Sequence, residues 1–156
     1  MGVKIVTDSL SDITSDIAQG LGITVVPLTV SFGKESFLDR ITMTTDEFYY
    51  RLTHDPIWPT TTQPPPGDFI NVYNKLAEET DEILVITLST KLSGTYQSAL
   101  NAKSLVEKKC RIEVIDSLTV AISTVFVPHS EQDHSVAILT SSSLFYIFSG
   151  AVIPIR

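Results

Sequence analysis

A single cysteine, Cys110, excludes an internal disulfide and gives no sign of an oxidising compartment. Histidine is scarce too. His54, His129 and His134 are scattered, and the i, i+5 spacing of the last two does not suit a two-histidine metal site, which uses i, i+4. Lysine and arginine disappear after Arg111 and return only at Arg156. With a net charge of −7 the chain offers no basic footprint for nucleic acid, and acidity of this size speaks to solubility rather than to a ligand. Neither G-x-x-x-x-G-K-[ST] nor G-x-S-x-G occurs, so a nucleotide P-loop and a hydrolase nucleophile elbow both lack their signatures.

The amino terminus, MGVKIVTDS, has neither the apolar centre nor the small-residue cleavage site of a signal peptide. It begins Met-Gly, but Val6 stands where myristoylation requires Ser or Thr. The expected compartment is the cytoplasm. Val136 to Ile155 is uncharged and long enough for a bilayer, yet Ser141, Ser142, Ser143, Ser149 and Pro154 dilute it and no basic cluster flanks it. Buried strands or an atypical tail are expected there, not a membrane span.

What is present alternates between two periodicities. At 156 residues the chain suffices for one domain with a core. Val3 to Thr7 is a short β-rich run ending at Asp8-Ser9. Ile13, Ile17 and Leu21 then recur at helical spacing, with Ser11 or Asp12 as cap and Gly20 and Gly22 as the stop. Ile23 to Val30 reads as a second strand, irregular at Pro27. A turn at Gly33 and a short return over Ser36 to Asp39 follow, then a helix start at Thr44-Thr45-Asp46-Glu47 with Phe48, Leu52 and Tyr49 inward. Five prolines between Pro56 and Pro66 exclude helix and central strand. Gly67-Asp68 opens a helix with Phe69, Val72, Tyr73 and Leu76 inward. Ile83 to Leu88 is a buried strand, Thr95 to Lys109 a helix, and Ile112 to Ile115 a strand ending at Asp116-Ser117. Such alternation predicts an α/β fold, a mostly parallel sheet flanked by helices, with ligands at the carboxyl ends of the strands.

Three polar constellations lie at such ends or on stiffened loops. ILVITLSTKLSGTYQSA, from Ile83 to Ala99, runs a strand through a hydroxyl-rich loop into a helix. A helix N-terminus favours an anion, Ser93 either caps it or donates to a carboxylate, and Gly94 allows close approach to the backbone. Thr60, Thr61 and Thr62 sit on a proline-stiffened loop that converges hydroxyls at little entropic cost or simply turns the surface. Asp8 and Asp116 follow strands; they bind Mg²⁺ or, more commonly for such residues, fasten turns. Lys91 precedes the glycine and is no P-loop lysine.

Taken together, KIVTDSLSDI, VVPL at Val25 to Leu28, PTTTQPPPGDF, LSTKLSGTYQSA and EVIDSLTV resemble the DegV family of fatty-acid-binding proteins, in order and spacing, over about Met1 to Ala121. The resemblance implies a two-domain α/β protein burying a long-chain fatty acid such as palmitate. Its carboxylate is held by a threonine of the Thr loop and the serine of the LSGTYQSA loop. Carried to this sequence, these are Thr61 (Thr62 in the alternative register) and Ser93, helped by the N–H of Gly94. In some members a separate kinase then phosphorylates the bound acid, so the binding chain is not an enzyme and needs no cofactor or metal. Residues 1–120 are expected to form the DegV-like N-terminal α/β domain. Residues 121–156 are expected to be an atypical tail, with the second family domain absent and neither His129 nor His134 in the role of the family's carboxylate histidine. Two rival expectations are a hydrolase or phosphatase acting through Ser93 or Asp8, and a non-binding chain that self-associates through exposed apolar surface.

Overall fold

A computed structural model describes residues 2–118, together with the backbone of four strands at 125–128, 136–139, 144–148 and 151–155. The first 118 residues carry seven strands and four helices. β1 (Lys4–Asp8), β2 (Ile23–Val26), β6 (Glu82–Thr87) and β7 (Arg111–Asp116) form a sheet in the order β2-β1-β6-β7, every neighbouring pair parallel. Parallel pairing explains the continuous apolar run of β6, in which Ile83 to Thr87 are all buried.

A smaller antiparallel sheet has the order β4-β3-β5, from β3 (Thr29–Phe32), β4 (Glu35–Leu38) and β5 (Thr60–Thr62). The single strand expected over Ile23 to Val30 is therefore two strands of different sheets. Pro27 interrupts it, and the hydroxyl of Ser9 accepts the N–H of Leu28 at 3.1 Å at the crossing point. Gly33, at φ +63°, makes the turn between β3 and β4. β5 lies at a sheet edge, as its flanking prolines require.

Helix α3 (Pro66–Leu76) begins with Pro66 in its first turn, where a missing N–H costs nothing. Its Phe69, Tyr73 and Leu76 pack with Ala99 and Ala102 of α4 (Thr95–Lys103) onto Val6, Val26, Ile83, Val85 and Ile112 of the parallel sheet. This is the main core, and the inward residues predicted for α3 are in it, with Val72 packed at its margin. Helix α4 stops at Lys103 rather than Lys109. Ser104 bonds its hydroxyl back to the carbonyl of Asn101 at 2.8 Å, and Ser104 closes the helix.

Two other helices depart from the periodic reading. The first segment splits into a 3₁₀ turn (Ser9–Ser11) and α1 (Ser15–Leu21), separated by Asp12 at φ 56°; Gly22 closes α1 at φ 66°. Ile17 and Leu21 are half exposed there, while Ala18 is buried. Helix α2 (Thr45–His54), capped by the Thr44 hydroxyl on the N–H of Glu47, buries no residue fully, and Tyr49 is exposed. Phe48 packs against Val30, Phe32 and Met43. Arg51 lies 4.3 Å over the ring of Phe32 and pairs with Glu35 at 2.6 Å and Asp55 at 3.0 Å, which ties α2 to the small sheet.

Beyond residue 118, β8 (Val125–Pro128), β9 (Val136–Leu139), β10 (Leu144–Phe148) and β11 (Ala151–Ile155) pair antiparallel in the order β11-β10-β9-β8. The uncharged stretch from Val136 to Ile155 thus contains three strands. Among the described residues no helix is long and apolar enough to cross a membrane. His129 and His134 lie outside the described residues.

Candidate functional site

The two strand-end carboxylates are committed to backbone donors. Asp8, fully buried, accepts the N–H of Leu10 at 3.0 Å and that of Leu88 at 2.8 Å. Burial raises its pKa above the ordinary 3.8, and the two N–H bonds oppose that rise. Asp116 accepts the N–H and the hydroxyl of Thr90 at 3.2 and 2.7 Å with one oxygen, and the N–H of Leu118 at 2.9 Å with the other. Together they clamp the β6–α4 loop from both sides, Asp8 at Leu88 and Asp116 at Thr90. Among the described residues no group of three His, Cys, Asp or Glu side chains is placed to hold a metal.

Between those clamps the loop folds on Ser89. Its hydroxyl accepts the N–H of Lys91 at 3.3 Å, and its carbonyl accepts those of Leu92 at 2.9 Å and Ser93 at 3.2 Å. The turn presents Ser93, half-buried, immediately before Gly94, the N-cap position of α4. The Ser93 hydroxyl accepts the N–H of Thr95 at 3.2 Å and lies 2.8 Å from the Thr95 hydroxyl. The N-cap of α4 is therefore Gly94 and not Ser93, which sits one residue earlier and bonds the first N–H of the helix from the loop surface.

The threonine loop arrives as β5. Its pairing with β3 sets Thr61 opposite Val30 and Thr62 opposite Thr29. Directly opposed residues of an antiparallel pair point to the same face, so Thr61 shares the face of Val30, turned toward α2. Thr61 lines a cavity of about 170 Å³ there, with Leu28, Val30, Phe48, Tyr49 and Arg40 among its other walls. Thr62 is not part of it. A second cavity, of about 310 Å³, is walled by Ile13, Ala18, Ile23, Val25 and Ile41 and shares Asp39 and Arg40 with the first. The Arg40 guanidinium is held by Asp12 at 2.6 Å and by the carbonyl of Ile13 at 3.2 Å.

The two loops meet through a residue to which the sequence assigned no role. A Cβ added to Gly94 would stand 2.8 Å from Nε2 of Gln63 and 3.2 Å from its Cδ. The residue that follows Thr62 therefore lies against the backbone that follows Ser93. Glycine is needed there for space and not for conformation, since Gly94 has φ −80°. Thr95 is the second omission. Both residues fall inside the quoted motifs, but only tertiary placement shows what they touch.

A hydrolytic centre at Ser93 or Asp8 finds no support among the described residues. The hydrogen-bond partners of the Ser93 hydroxyl belong to Thr95, and His54 is exposed, stacked on Tyr50 and bonded to the Tyr50 carbonyl at 2.9 Å.

A DegV domain-containing protein of Caldanaerobacter subterraneus subsp. tengcongensis is 46% identical over 115 residues, 74% of this chain and 40% of the relative. The chain thus spans about two fifths of the length of the curated relatives it matches. Among solved structures, a DegV family protein from Thermus thermophilus, described by its fatty acid binding, matches with a TM-score of 0.69 at 37% identity, over 78% of this chain and 42% of that one. A stearic acid-binding protein from Eubacterium ventriosum matches with 0.73 at 36% identity, over 78% and 43%. The Fatty Acid Kinase (Fak) B3 protein of Streptococcus pneumoniae, loaded with linoleic acid, matches with 0.63 at 26% identity, over 78% and 43%. A family profile described as an uncharacterised protein of the DegV family matches residues 2–130, and the chain belongs to the DegV family.

Proposed function

We propose that this chain holds the carboxylate of a long-chain fatty acid between the Ser93–Gly94 loop and Thr61. The observation that carries the reading is the seating of Gln63 on Gly94, which joins the two hydroxyl-bearing loops at the N-terminus of α4. An ionised carboxylate only accepts hydrogen bonds. Ser93 and Thr61 supply hydroxyl donors, and the start of α4 supplies backbone N–H groups and a partial positive charge. The nearby guanidinium of Arg40 is tied to Asp12, so the head group is held without a committed cation.

Each methylene removed from water contributes about 0.8 kcal/mol, so the acyl chain dominates affinity while the hydroxyls fix the head. The cavity at Thr61, about 170 Å³, is smaller than the roughly 300–1,000 Å³ of ligand pockets, and the neighbouring cavity of about 310 Å³ that shares Asp39 and Arg40 with it reaches the lower end of that range. The likeness to fatty-acid-binding relatives supports the ligand class, and the likeness to the Fak B3 protein supports a chain that carries the acid for a separate kinase and has no catalytic centre of its own.

The test is extraction of the purified chain followed by mass spectrometry, with thermal denaturation in the presence and absence of palmitate. A co-purifying fatty acid, or a rise in Tm with palmitate, is expected. Protein that carries no acyl chain and whose Tm palmitate leaves unmoved would rule out binding by this chain.

A further inference from the structure

The Ser93–Thr95 pair can be oriented by asking which hydroxyl has another use for its proton. Thr95 is fully buried at the first position of α4, and among the described residues its hydroxyl has one partner, Ser93 Oγ at 2.8 Å. A buried O–H without an acceptor is costly, whereas Ser93, half-buried on the loop, has open space for its own proton. The arrangement that uses both protons has Thr95 donating to Ser93. Ser93 Oγ then accepts twice, from the hydroxyl and from the N–H of Thr95 at 3.2 Å, and both of its lone pairs are occupied. What remains to Ser93 is a single O–H directed away from the helix.

We propose that Thr95 is a positioning residue that makes Ser93 an obligate donor, so that the site selects an acceptor-only head group, the carboxylate, over an alcohol or primary amide on the same acyl chain. This rests on the fatty-acid reading above and adds to it the source of head-group selectivity. A serine free to rotate both donates and accepts, and would discriminate poorly between a carboxylate and an alcohol. A serine whose lone pairs are filled offers the head group a donor and no acceptor, so at Ser93 an alcohol or amide forgoes the bond its own proton would make, while a carboxylate forgoes nothing.

The test compares wild type, Thr95→Val and Thr95→Ser for binding of palmitate, hexadecanol and palmitamide by titration calorimetry. Thr95→Val keeps the side-chain volume and removes the donor, and the preference for palmitate over hexadecanol is expected to fall about tenfold. Thr95→Ser restores the donor and should restore the preference. An unchanged preference in Thr95→Val overturns the assignment. Hydroxyl-proton NMR of the ligand-free wild type decides the direction independently of any ligand or variant. A slowly exchanging Thr95 hydroxyl proton with a contact to Ser93 supports the proposal, and a protected Ser93 proton in its place overturns it. Wild type that binds none of the three ligands defeats the fatty-acid reading, while the NMR result still tells whether Thr95 is the donor.

Discussion

The carboxamide of Gln63 lies across the backbone of Gly94, so close that a Cβ on Gly94 would stand 2.8 Å from Nε2. This contact seats the residue after β5 against the start of α4, and it does so without a charged group. Gly94→Ala meets the free end of a flexible side chain and a backbone φ of −80° that alanine accepts, so stability should change by less than about 1 kcal/mol. Palmitate binding should weaken because Gln63 is pushed aside. Gln63→Ala combined with Gly94→Ala should relieve the clash but leave the loops unjoined. Thermal denaturation and palmitate titration on the two variants check this; a strongly destabilised Gly94→Ala would show that the glycine serves the fold instead.

The strand register separates two threonines that the sequence left as alternatives. Thr61 faces the cavity under α2, and Thr62 lies opposite Thr29 on the other face. Thr61→Val should therefore weaken palmitate binding by about 1.5–3 kcal/mol, as for a hydrogen bond to a charged group, and Thr62→Val should leave it nearly unchanged. Equal losses for the two would mean that the register does not set the contact.

Local interactions are legible in the sequence, and those between distant residues are not. The run from Ile83 to Thr87 announces a parallel strand because both of its faces are buried, and Phe69, Tyr73 and Leu76 announce a helix face because their spacing matches their burial. The hydroxyls of Thr61 and Ser93 were legible as residue types on a stiff loop and at a helix start. Ile17 and Leu21 misled: their spacing is helical, yet the face they make is half exposed and Ala18 is the residue turned inward. Pro27 hid a change of sheet, since a strand's partner is not encoded in its own periodicity. Gln63 and Thr95 were missed because what matters about them is a neighbour, 31 residues away for Gln63 and Gly94, and a hydroxyl partner two residues back in the loop for Thr95.

Ser93→Ala removes the acceptor of the Thr95 N–H and the partner of the Thr95 hydroxyl along with the donor proposed for the carboxylate. Loss of the bond to the Thr95 N–H costs about 1 kcal/mol, and the buried Thr95 hydroxyl left without its partner adds about 1–3 kcal/mol. Denaturant unfolding should show this without any ligand. Palmitate affinity should drop as well, by about tenfold or more. Loss of affinity with no loss of stability would mean that the Ser93–Thr95 bonds do not hold in solution.

Tyr73 is fully buried between α3 and α4 and donates its hydroxyl to the carbonyl of Ala99 at 3.3 Å. Tyr73→Phe keeps the packing and should cost about 1 kcal/mol; Tyr73→Ala opens the core and should cost about 3–5 kcal/mol. Burial raises the Tyr73 pKa above the ordinary 10.0. The unfolded chain therefore releases this proton first, so the stabilisation is complete below pH 10 and is lost as pH rises beyond it. Tyr73→Phe should remove that part of the alkaline decline in denaturant midpoint.

Asp8 allows a sharper pH test because its surroundings oppose each other. Burial raises its pKa above 3.8 while the N–H groups of Leu10 and Leu88 favour the carboxylate, and burial prevails. With the folded pKa above the unfolded one, the folded state binds the proton more tightly. The contribution of Asp8 to stability is then fully present below the unfolded pKa and falls as pH rises through the folded value. Asp8→Asn cannot titrate, so the advantage of wild type over this variant should shrink as pH is raised from about 3.5 toward 6. It should not vanish at neutral pH. The amide nitrogen of Asn would face one of two backbone donors, leaving a buried pair of N–H groups opposed at a cost of about 1–3 kcal/mol. Urea unfolding of both proteins across this range measures the difference directly. An advantage that grows with pH would show that the two N–H bonds outweigh burial and that the Asp8 carboxylate is the form the fold is built to hold.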